Sequence, residues 1–145
     1  GHGILLTVAD RRSRATYIEQ IIRVTIEKVH RAFVRIQQRF PELRTLTTDN
    51  DLLFAKHEAL AALLGIRIFF CHPYHSWEKG TIEHANGVIR KDVPKGSDLS
   101  RYAKRFIQRL EAKLNRRPMQ VLGYRTPQEV LDGHRNRIKK QKTPR

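Results

Sequence analysis

The sequence predicts an α/β fold in which a mixed β-sheet is flanked by helices. Short apolar runs typical of strands alternate with helix-periodic segments, in the order β-β-α-β-α-β-α-α-α. Only the turn at residues 10–13 separates the first two strands, which predicts an antiparallel hairpin within that sheet. A chain of 145 residues has the length of one domain and can bury a core of its own.

The predicted strands are short runs of apolar, β-branched or aromatic residues next to turn residues. The first run is continuously apolar, which indicates a strand covered on both faces. The four strands are predicted at residues 3–9, 14–22, 43–48 and 66–71.

Helices are predicted where apolar residues recur three or four positions apart. In residues 25–40 this pattern is formed by Ile26, Val29, Phe33 and Ile36. Further helices are predicted at residues 56–64, 80–91, about 97–115 and 126–131.

Two of these helices begin at capping residues, and a basic tail follows the last one. Ser97 or Asp98 is predicted to cap the helix that runs to about residue 115. Thr126 and Glu129 have the spacing of a capping box. We divide the chain into a core, residues 1–133, and a tail, residues 134–145, which has almost no apolar content and is predicted to be disordered.

The charge balance points to a polyanionic partner. The chain has 29 Lys and Arg residues against 14 Asp and Glu, a formal net charge of +15. Such an excess favours nucleic acid, although a ribosomal or histone-like protein that only neutralises phosphate would have the same composition. The single cysteine, Cys71, forms neither an internal disulfide nor a zinc cluster, and fits a reducing, intracellular compartment.

Two carboxylates are placed where a site is expected. Asp49 directly follows the strand predicted at residues 43–48, and ligands gather beyond the carboxyl ends of strands in α/β sheets. Glu83 falls in the first turn of the helix predicted at residues 80–91. The intervening helix, strand and loop can return the chain to the same edge of the sheet. Carboxylates held there could bind two divalent ions that cleave a phosphodiester.

Each carboxylate also has an ordinary structural explanation. Asp49 could be a turn residue or a helix cap, and Glu83 could be a favourable anion near a helix N-terminus. The residues alone leave these alternatives open.

Several motifs resemble those of one protein family. Residues 47–50 read T-T-D-N and residues 72–90 read H-P-Y-H-S-W-E-K-G-T-I-E-H-A-N-G-V-I-R. They are similar to the second and third acidic motifs of the integrase core that retroviral integrases share with bacterial insertion-sequence transposases. The interval between the two acidic residues, and the segments V-P-K-G-S-D-L-S, N-R-R-P and L-G-Y-R-T-P-Q-E-V, resemble the IS-thirty type of transposase. The resemblance covers about residues 1–133.

The resemblance implies a ribonuclease H-like fold with a triad of Asp, Asp and Glu that holds two Mg²⁺ or Mn²⁺ ions. It implies cleavage and transfer of DNA strands, with element ends and target DNA as substrates, a homo-oligomer on DNA, and a bacterial cytoplasmic, nucleoid-associated protein. By matching positions, Asp49 and Glu83 are catalytic and metal-binding. The implied DNA-binding residues are Asn50, Tyr74, Lys79, Asn86, Arg90 and Lys91.

The sequence departs from the family pattern in three places. The first strand and its Asp are expected several residues before Gly1, and Asp10 is predicted to be a turn residue rather than a substitute. Asp51 stands where relatives usually have glycine, and Glu78 where they have a small or amide residue. These departures keep open an alternative function, that of a catalytically dead or domesticated fragment which only binds DNA.

The residues around Glu83 are predicted to form one surface. On a helix Glu83, Asn86, Gly87 and Arg90 share a face, although Arg90 could simply be solvated. His72, His75 and His84 are close in sequence and are predicted to lie at the surface or near DNA rather than to bind zinc. The basic residues in 101–117 and 135–145 are interpreted either as phosphate contacts or as solvated faces.

Overall fold

The computed structural model describes residues 3–39, 45–48, 61–62, 65, 67–70 and 76–142. Most of the helix predicted at residues 56–64 lies outside this part of the chain. Short 3-10 turns at Leu99–Arg101 and Gln120–Leu122 precede the last two helices. The described strands and helices, in chain order, are β1 (Gly3–Asp10), β2 (Thr16–Ile22), α1 (Ile26–Arg39), β3 (Thr45–Thr48), β4 (Arg67–Phe70), α2 (Ser76–Asp92), α3 (Lys104–Asn115) and α4 (Pro127–Lys142).

The strands form the mixed sheet that the sequence predicts. In the described part of the chain the strand order is β2-β1-β3-β4. Strands β1 and β2 are the predicted antiparallel hairpin, and β1 also pairs antiparallel with β3. Strands β3 and β4 are parallel, so that their carboxyl ends lie at the same edge of the sheet.

Helices cover both faces of the sheet, which explains why β1 is almost continuously apolar. Leu6 and Val8 pack with α1 and with Leu131 of α4. Leu5 points the other way and packs with Ile89 of α2 and with the buried face of α3. Successive side chains of a strand point to opposite faces, and here each face meets a separate apolar cluster. The result is a three-layer domain with α1 and α4 on one face and α2 and α3 on the other.

Asp10 is the last residue of β1, one position beyond the predicted end of that strand, and its side chain supports the turn that follows. Its carboxylate is buried and accepts hydrogen bonds from the backbone N–H of Ser13 at 2.9 Å and from the Ser13 hydroxyl at 2.6 Å. Its backbone N–H donates to the Ala15 carbonyl at 2.8 Å. The carboxylate therefore stabilises the β1–β2 turn.

Two predicted helix boundaries are wrong. Helix α2 begins at Ser76 rather than Gly80, so Lys79 lies on a helix and not in a loop. Glycine in a helix costs only about 0.5–1 kcal/mol relative to alanine, and Gly80 is therefore a weak boundary signal. The segment predicted as one helix at about 97–115 is divided: the carboxylate of Asp98 caps a 3-10 turn, and α3 begins only at Lys104.

The last helix is much longer than its sequence predicts. Thr126 caps it as expected, since its hydroxyl accepts the N–H of Glu129 at 3.0 Å. The predicted end at Leu131 is wrong because α4 continues to Lys142, and residues 134–142 of the predicted disordered tail are helical. The side chain of Arg135 stabilises this extension because it donates a hydrogen bond to the Arg39 carbonyl at 2.6 Å. The division of the chain at residue 133 stays a prediction.

Side chains of α3 close the outer edge of β2. Asn115 exchanges two hydrogen bonds with the backbone of Thr16, at 2.7 and 2.9 Å, much as a neighbouring strand would. The carboxylate of Glu111 accepts the N–H of Ile18 at 2.9 Å and also pairs with Arg39. A strand edge with unpaired backbone groups invites association with other chains, and these two side chains satisfy part of that edge.

None of the helices in the described residues is long and apolar enough to cross a membrane.

Candidate metal and nucleic-acid site

Helix α2 presents the candidate site on the face opposite its buried side. Ala85, Ile89 and Val93 are at most 2% exposed and anchor the helix in the core beneath the sheet. Glu83 is exposed on the other side of the helix. The helical period of 3.6 residues explains this arrangement, because it places the apolar positions of α2 on one side of the helix and Glu83 on the other.

The packing of α2 brings this helix to the strand that precedes Asp49. Helix α2 contacts β1 and β3. Strand β3 ends at Thr48, and its parallel partner β4 ends opposite it at Phe70. Asp49 follows Thr48 directly in the sequence, but Asp49, Asn50 and Tyr74 lie outside the described residues. Their roles in the site stay predictions.

Glu83 is not a residue of a helix N-terminus. Since α2 begins at Ser76, Glu83 is the eighth residue of the helix and lies about two turns inside it. The favourable interaction of an anion with the helix dipole falls off within the first turn. The explanation of Glu83 as a dipole-stabilising anion is therefore wrong, and its side chain is exposed.

The residues predicted to bind DNA next to Glu83 have different environments. Asn86 is half-buried, while Arg90 and Lys91 are exposed. One guanidinium nitrogen of Arg90 donates to the Val93 carbonyl at 3.4 Å, a long hydrogen bond near the end of the helix. Gly87 has open space where a Cβ would stand, so the helix backbone is accessible there. The predicted shared face of α2 is thus a solvent-facing surface with one carboxylate, one amide and basic groups.

The ionisation of His84 reports the charge of this surface. Burial lowers the pKa of His84 below its ordinary value, and the positive charges of Arg117 and Lys91 lower it further. Arg117 comes from the segment after α3, so basic groups from two elements meet beside α2. In the described part of the chain no three His, Cys, Asp or Glu residues form a metal-binding group.

One exposed aromatic side chain belongs to none of the predicted sites. Tyr124 is 71% exposed and has a positive φ of 66°, directly after Gly123 at 65°. A bulky residue in the left-handed region is uncommon and strained. The turn displays this ring next to Arg125. The motif that contains it, L-G-Y-R-T-P, was visible in the sequence, but only the backbone shows the strain.

A concave region lies along the outer side of β2. This cleft of about 900 Å³ is lined by both acidic and basic residues. Its acids are paired: Glu111 with Arg39, and Glu19 with Arg35 at 3.2 Å. The guanidinium of Arg39 also lies 5.3 Å from the ring centre of Tyr17. These pairs link α1, β2 and α3 and indicate a structural region rather than a reactive one.

The architecture defines the class of the protein. The chain is similar to the catalytic core domain of bovine immunodeficiency virus (BIV) integrase, with a TM-score of 0.67 and 20% identity over 95% of this chain and 93% of that one. It is also similar to a chain of a simian T-cell lymphotropic virus intasome in complex with a PP2A regulatory subunit, with a TM-score of 0.59 and 14% identity over 99% and 54%. The fold is that of an integrase catalytic core, the ribonuclease H-like fold predicted from the sequence.

Sequence similarity leads to a particular group within this class. The chain is 41% identical over 128 residues to the transposase of insertion sequence element IS4351 from Bacteroides fragilis, and 33% identical over 130 residues to the transposase InsI of IS30A from Escherichia coli K12. Both alignments cover 88% of this chain. The resemblance to insertion-sequence transposases of the IS-thirty type is confirmed. No protein-family model matches the chain.

The aligned region is a minor part of these relatives. It covers 39% of the Bacteroides transposase and 34% of the Escherichia coli transposase. The chain therefore corresponds to somewhat over a third of the length of each.

Proposed function

We propose that the chain is the catalytic core of a transposase that cleaves and transfers DNA strands in a metal-dependent reaction during DNA transposition. The observation that carries this proposal is the position of Glu83. It is exposed two turns inside α2, on a helix that packs against the strand leading directly to Asp49. If Asp49 lies at the same sheet edge, the two carboxylates would be suited to phosphodiester chemistry.

Asp49 and Glu83 are the residues that would hold Mg²⁺ or Mn²⁺. An exposed carboxylate supplies the hard oxygen ligand that these ions prefer, so Glu83 fits the role. When bound, the ions activate the attacking oxygen and stabilise the leaving one. Asn50, Tyr74, Lys79, Asn86, Arg90 and Lys91 orient the DNA by contacts to its backbone and end.

The proposed partners are the ends of a mobile element and its target DNA, in the bacterial cytoplasm. A net charge of +15 supports a DNA substrate because each neutralised phosphate releases counterions. We propose a homo-oligomer on DNA, since two element ends must be held together. The similarity to a chain of a viral intasome supports this arrangement.

A second candidate function is DNA binding without catalysis. The charge excess alone would suffice for it. This candidate predicts DNA binding without joining of a labelled DNA end in Mg²⁺. Efficient joining would rule it out.

The test of the proposed function is Glu83→Gln, assayed beside the unmodified protein. Loss of one carboxylate charge should reduce Mg²⁺-dependent joining at least ~10³-fold and leave DNA affinity nearly unchanged. Glu129→Gln, which removes an exposed carboxylate from α4, is the matched control and should join normally. Normal joining by Glu83→Gln would show that the site is wrongly assigned. DNA binding without joining by the unmodified protein would favour the second candidate.

A further inference from the structure

The outward face of α3 has a row of basic residues for which the sequence leaves two interpretations open, phosphate contacts or a solvated face. We propose that this row is a second DNA-backbone contact surface, separate from the DNA-binding residues around Glu83. The inference rests on the proposed function, because it assumes that DNA is the substrate. We call the row the α3 basic stripe; its members are Arg105, Arg109 and Lys113 on α3 and Arg116 directly after it.

The stripe results from the amphipathic pattern of α3. Ile107, Leu110 and Leu114 are buried beneath the sheet, which turns the opposite side of the helix to solvent. The stripe residues follow one another at intervals of four, four and three positions, and all are exposed. Each four-residue step advances about 6 Å along the helix axis, so the stripe extends over roughly 16 Å.

The stripe has no counterions within the described part of the domain. None of its four side chains forms a hydrogen bond or an ion pair with a residue in the described ranges. The one acidic residue of α3, Glu111, is buried and pairs with Arg39 on the other side of the helix. The charges are therefore available to a molecule outside the domain.

This arrangement is unfavourable for the isolated helix. Like charges four positions apart on a helix repel each other, and the stripe contains two such pairs, Arg105 with Arg109 and Arg109 with Lys113. A helix with alternating charges would be more stable. A phosphate backbone removes the repulsion because every basic residue then faces an anion.

The stripe leads towards the candidate catalytic surface. Helices α2 and α3 contact each other, and Leu110 of α3 shares an apolar cluster with Ala85 and Ile89 of α2. Glu83 also belongs to α2. The stripe therefore lies on the helix next to the one that carries Glu83, where a DNA strand leaving the site would pass.

The chemistry of the stripe favours DNA over the two other possible occupants. A membrane-surface helix needs large apolar side chains beside its basic ones, whereas the exposed arc of α3 has Gln108 and the half-buried Ala112 between them. A second copy of the chain would bring a stripe of the same sign. DNA presents one phosphate every 3.4 Å along each strand, so each basic residue of the stripe, roughly 4.5–6 Å from the next along the axis, has a phosphate within reach.

The test compares two double variants of the 145-residue chain. Arg105→Gln with Arg109→Gln removes two charges from the stripe. Arg12→Gln with Arg31→Gln, the matched control, removes two exposed charges from the β1–β2 turn and α1. Affinity for a 30-base-pair DNA duplex is measured between 0.05 and 0.2 M NaCl, and thermal unfolding verifies that both variants are folded.

The stripe variant should lose about 1.8 from the slope of log K against log salt, and on the order of tenfold to a hundredfold in affinity at 0.1 M salt. The control should keep nearly the original slope. Equal slopes for stripe variant and unmodified chain would overturn the inference and leave the proposed function intact. Absence of DNA binding by the unmodified chain would overturn both the inference and the proposed function. If phosphatidylserine vesicles displace the labelled duplex as well as unlabelled DNA does, the choice of DNA as the partner is overturned.

Discussion

Helices α1 and α3 have similar numbers of basic residues but use them differently. Every Lys and Arg of α1 has a partner within the domain. Lys28 donates to the carbonyls of Ile22 and Arg23 at 2.8 and 2.9 Å. Arg31, Arg35 and Arg39 pair with Glu27, Glu19 and Glu111 respectively. On α3, by contrast, Lys104, Arg105, Arg109 and Lys113 have none among the described residues.

The difference shows that net charge is a poor guide to where a partner binds. Both helices contribute to the same excess of +15. The charges of α1 connect that helix to β2 and α3, so removing them should act mainly on stability. The charges of α3 contribute repulsion within the domain, so removing them should act mainly on binding.

The largest expected effect comes from breaking the pairs on the α1 side. Glu111→Ala removes the acceptor of the Ile18 N–H and the partner of Arg39 from a position that is 6% exposed. We expect the free energy of unfolding to fall by about 3 kcal/mol, less than for a fully buried pair because Arg39 is partly exposed. Urea denaturation measures it.

The control for this variant is Glu19→Ala, which breaks the more exposed pair with Arg35. A surface pair of this kind contributes about 0–1 kcal/mol. If both variants lose the same stability, the buried position of Glu111 has no special importance and the comparison of the two helices fails.

A smaller effect of opposite sign is expected on α3. Arg109→Glu converts both like-charge pairs of the stripe, with Arg105 and with Lys113, into attractive ones. We expect an increase of about 0.5–1 kcal/mol in the free energy of unfolding together with weaker DNA binding. Thermal unfolding and a DNA titration on the same preparation measure the two effects.

Arg31→Glu on α1 is the matched substitution. It loses the attraction to Glu27 but gains one to Arg35, so its stability should change by less than about 0.5 kcal/mol. If Arg109→Glu gains stability but keeps its DNA affinity, then the charge repulsion within α3 is unrelated to DNA binding. That result would refute the role proposed for the stripe.

The smallest expected effect concerns pH. The pKa of His84 is lowered in the folded chain by burial and by the charges of Arg117 and Lys91. Above the ordinary histidine pKa of about 6.5, His84 is neutral in both states and contributes nothing. As pH falls from there towards the folded pKa, the unfolded chain binds the proton first and the folded state loses stability.

The measurement compares unfolding of the unmodified chain and of His84→Gln between pH 7.5 and 5. The variant should show a flatter pH profile than the unmodified chain. Bound DNA should raise the pKa of His84, because phosphates offset the neighbouring positive charges. An NMR titration that shows an unchanged or lower pKa in the complex would speak against DNA beside α2.

The elements that the sequence predicts well are those with a local signal. The hairpin of β1 and β2 follows from apolar runs around a turn, and α1 from four apolar residues at helical spacing. The ends of α2 and α4 were misplaced because glycine and high polarity are weak terminators. In α4 a single long-range bond, from Arg135 to the Arg39 carbonyl, supports an extension that its own composition does not predict.

The site assignment stays a prediction, and it too rests on a local signal. The motifs around Asp49 and Glu83 are continuous in sequence, so the resemblance is visible without a structure. Glu83 lies on an exposed helix face, and Lys79 lies on a helix rather than in the predicted loop. Arg117 lies near His84 and Lys91, although His84 and Arg117 are 33 positions apart in the sequence. No local sequence pattern predicts such a contact.

The closure of the β2 edge by α3 also has a consequence for synthesis of the protein. The bonds of Thr16 to Asn115 and of Ile18 to Glu111 span 99 and 93 positions. At ~5–20 residues per second, a ribosome needs roughly five to twenty seconds to add that length after β2 has been made. During this interval the nascent hairpin has an open backbone edge, which makes it a substrate for chaperones and a point where neighbouring nascent chains can associate.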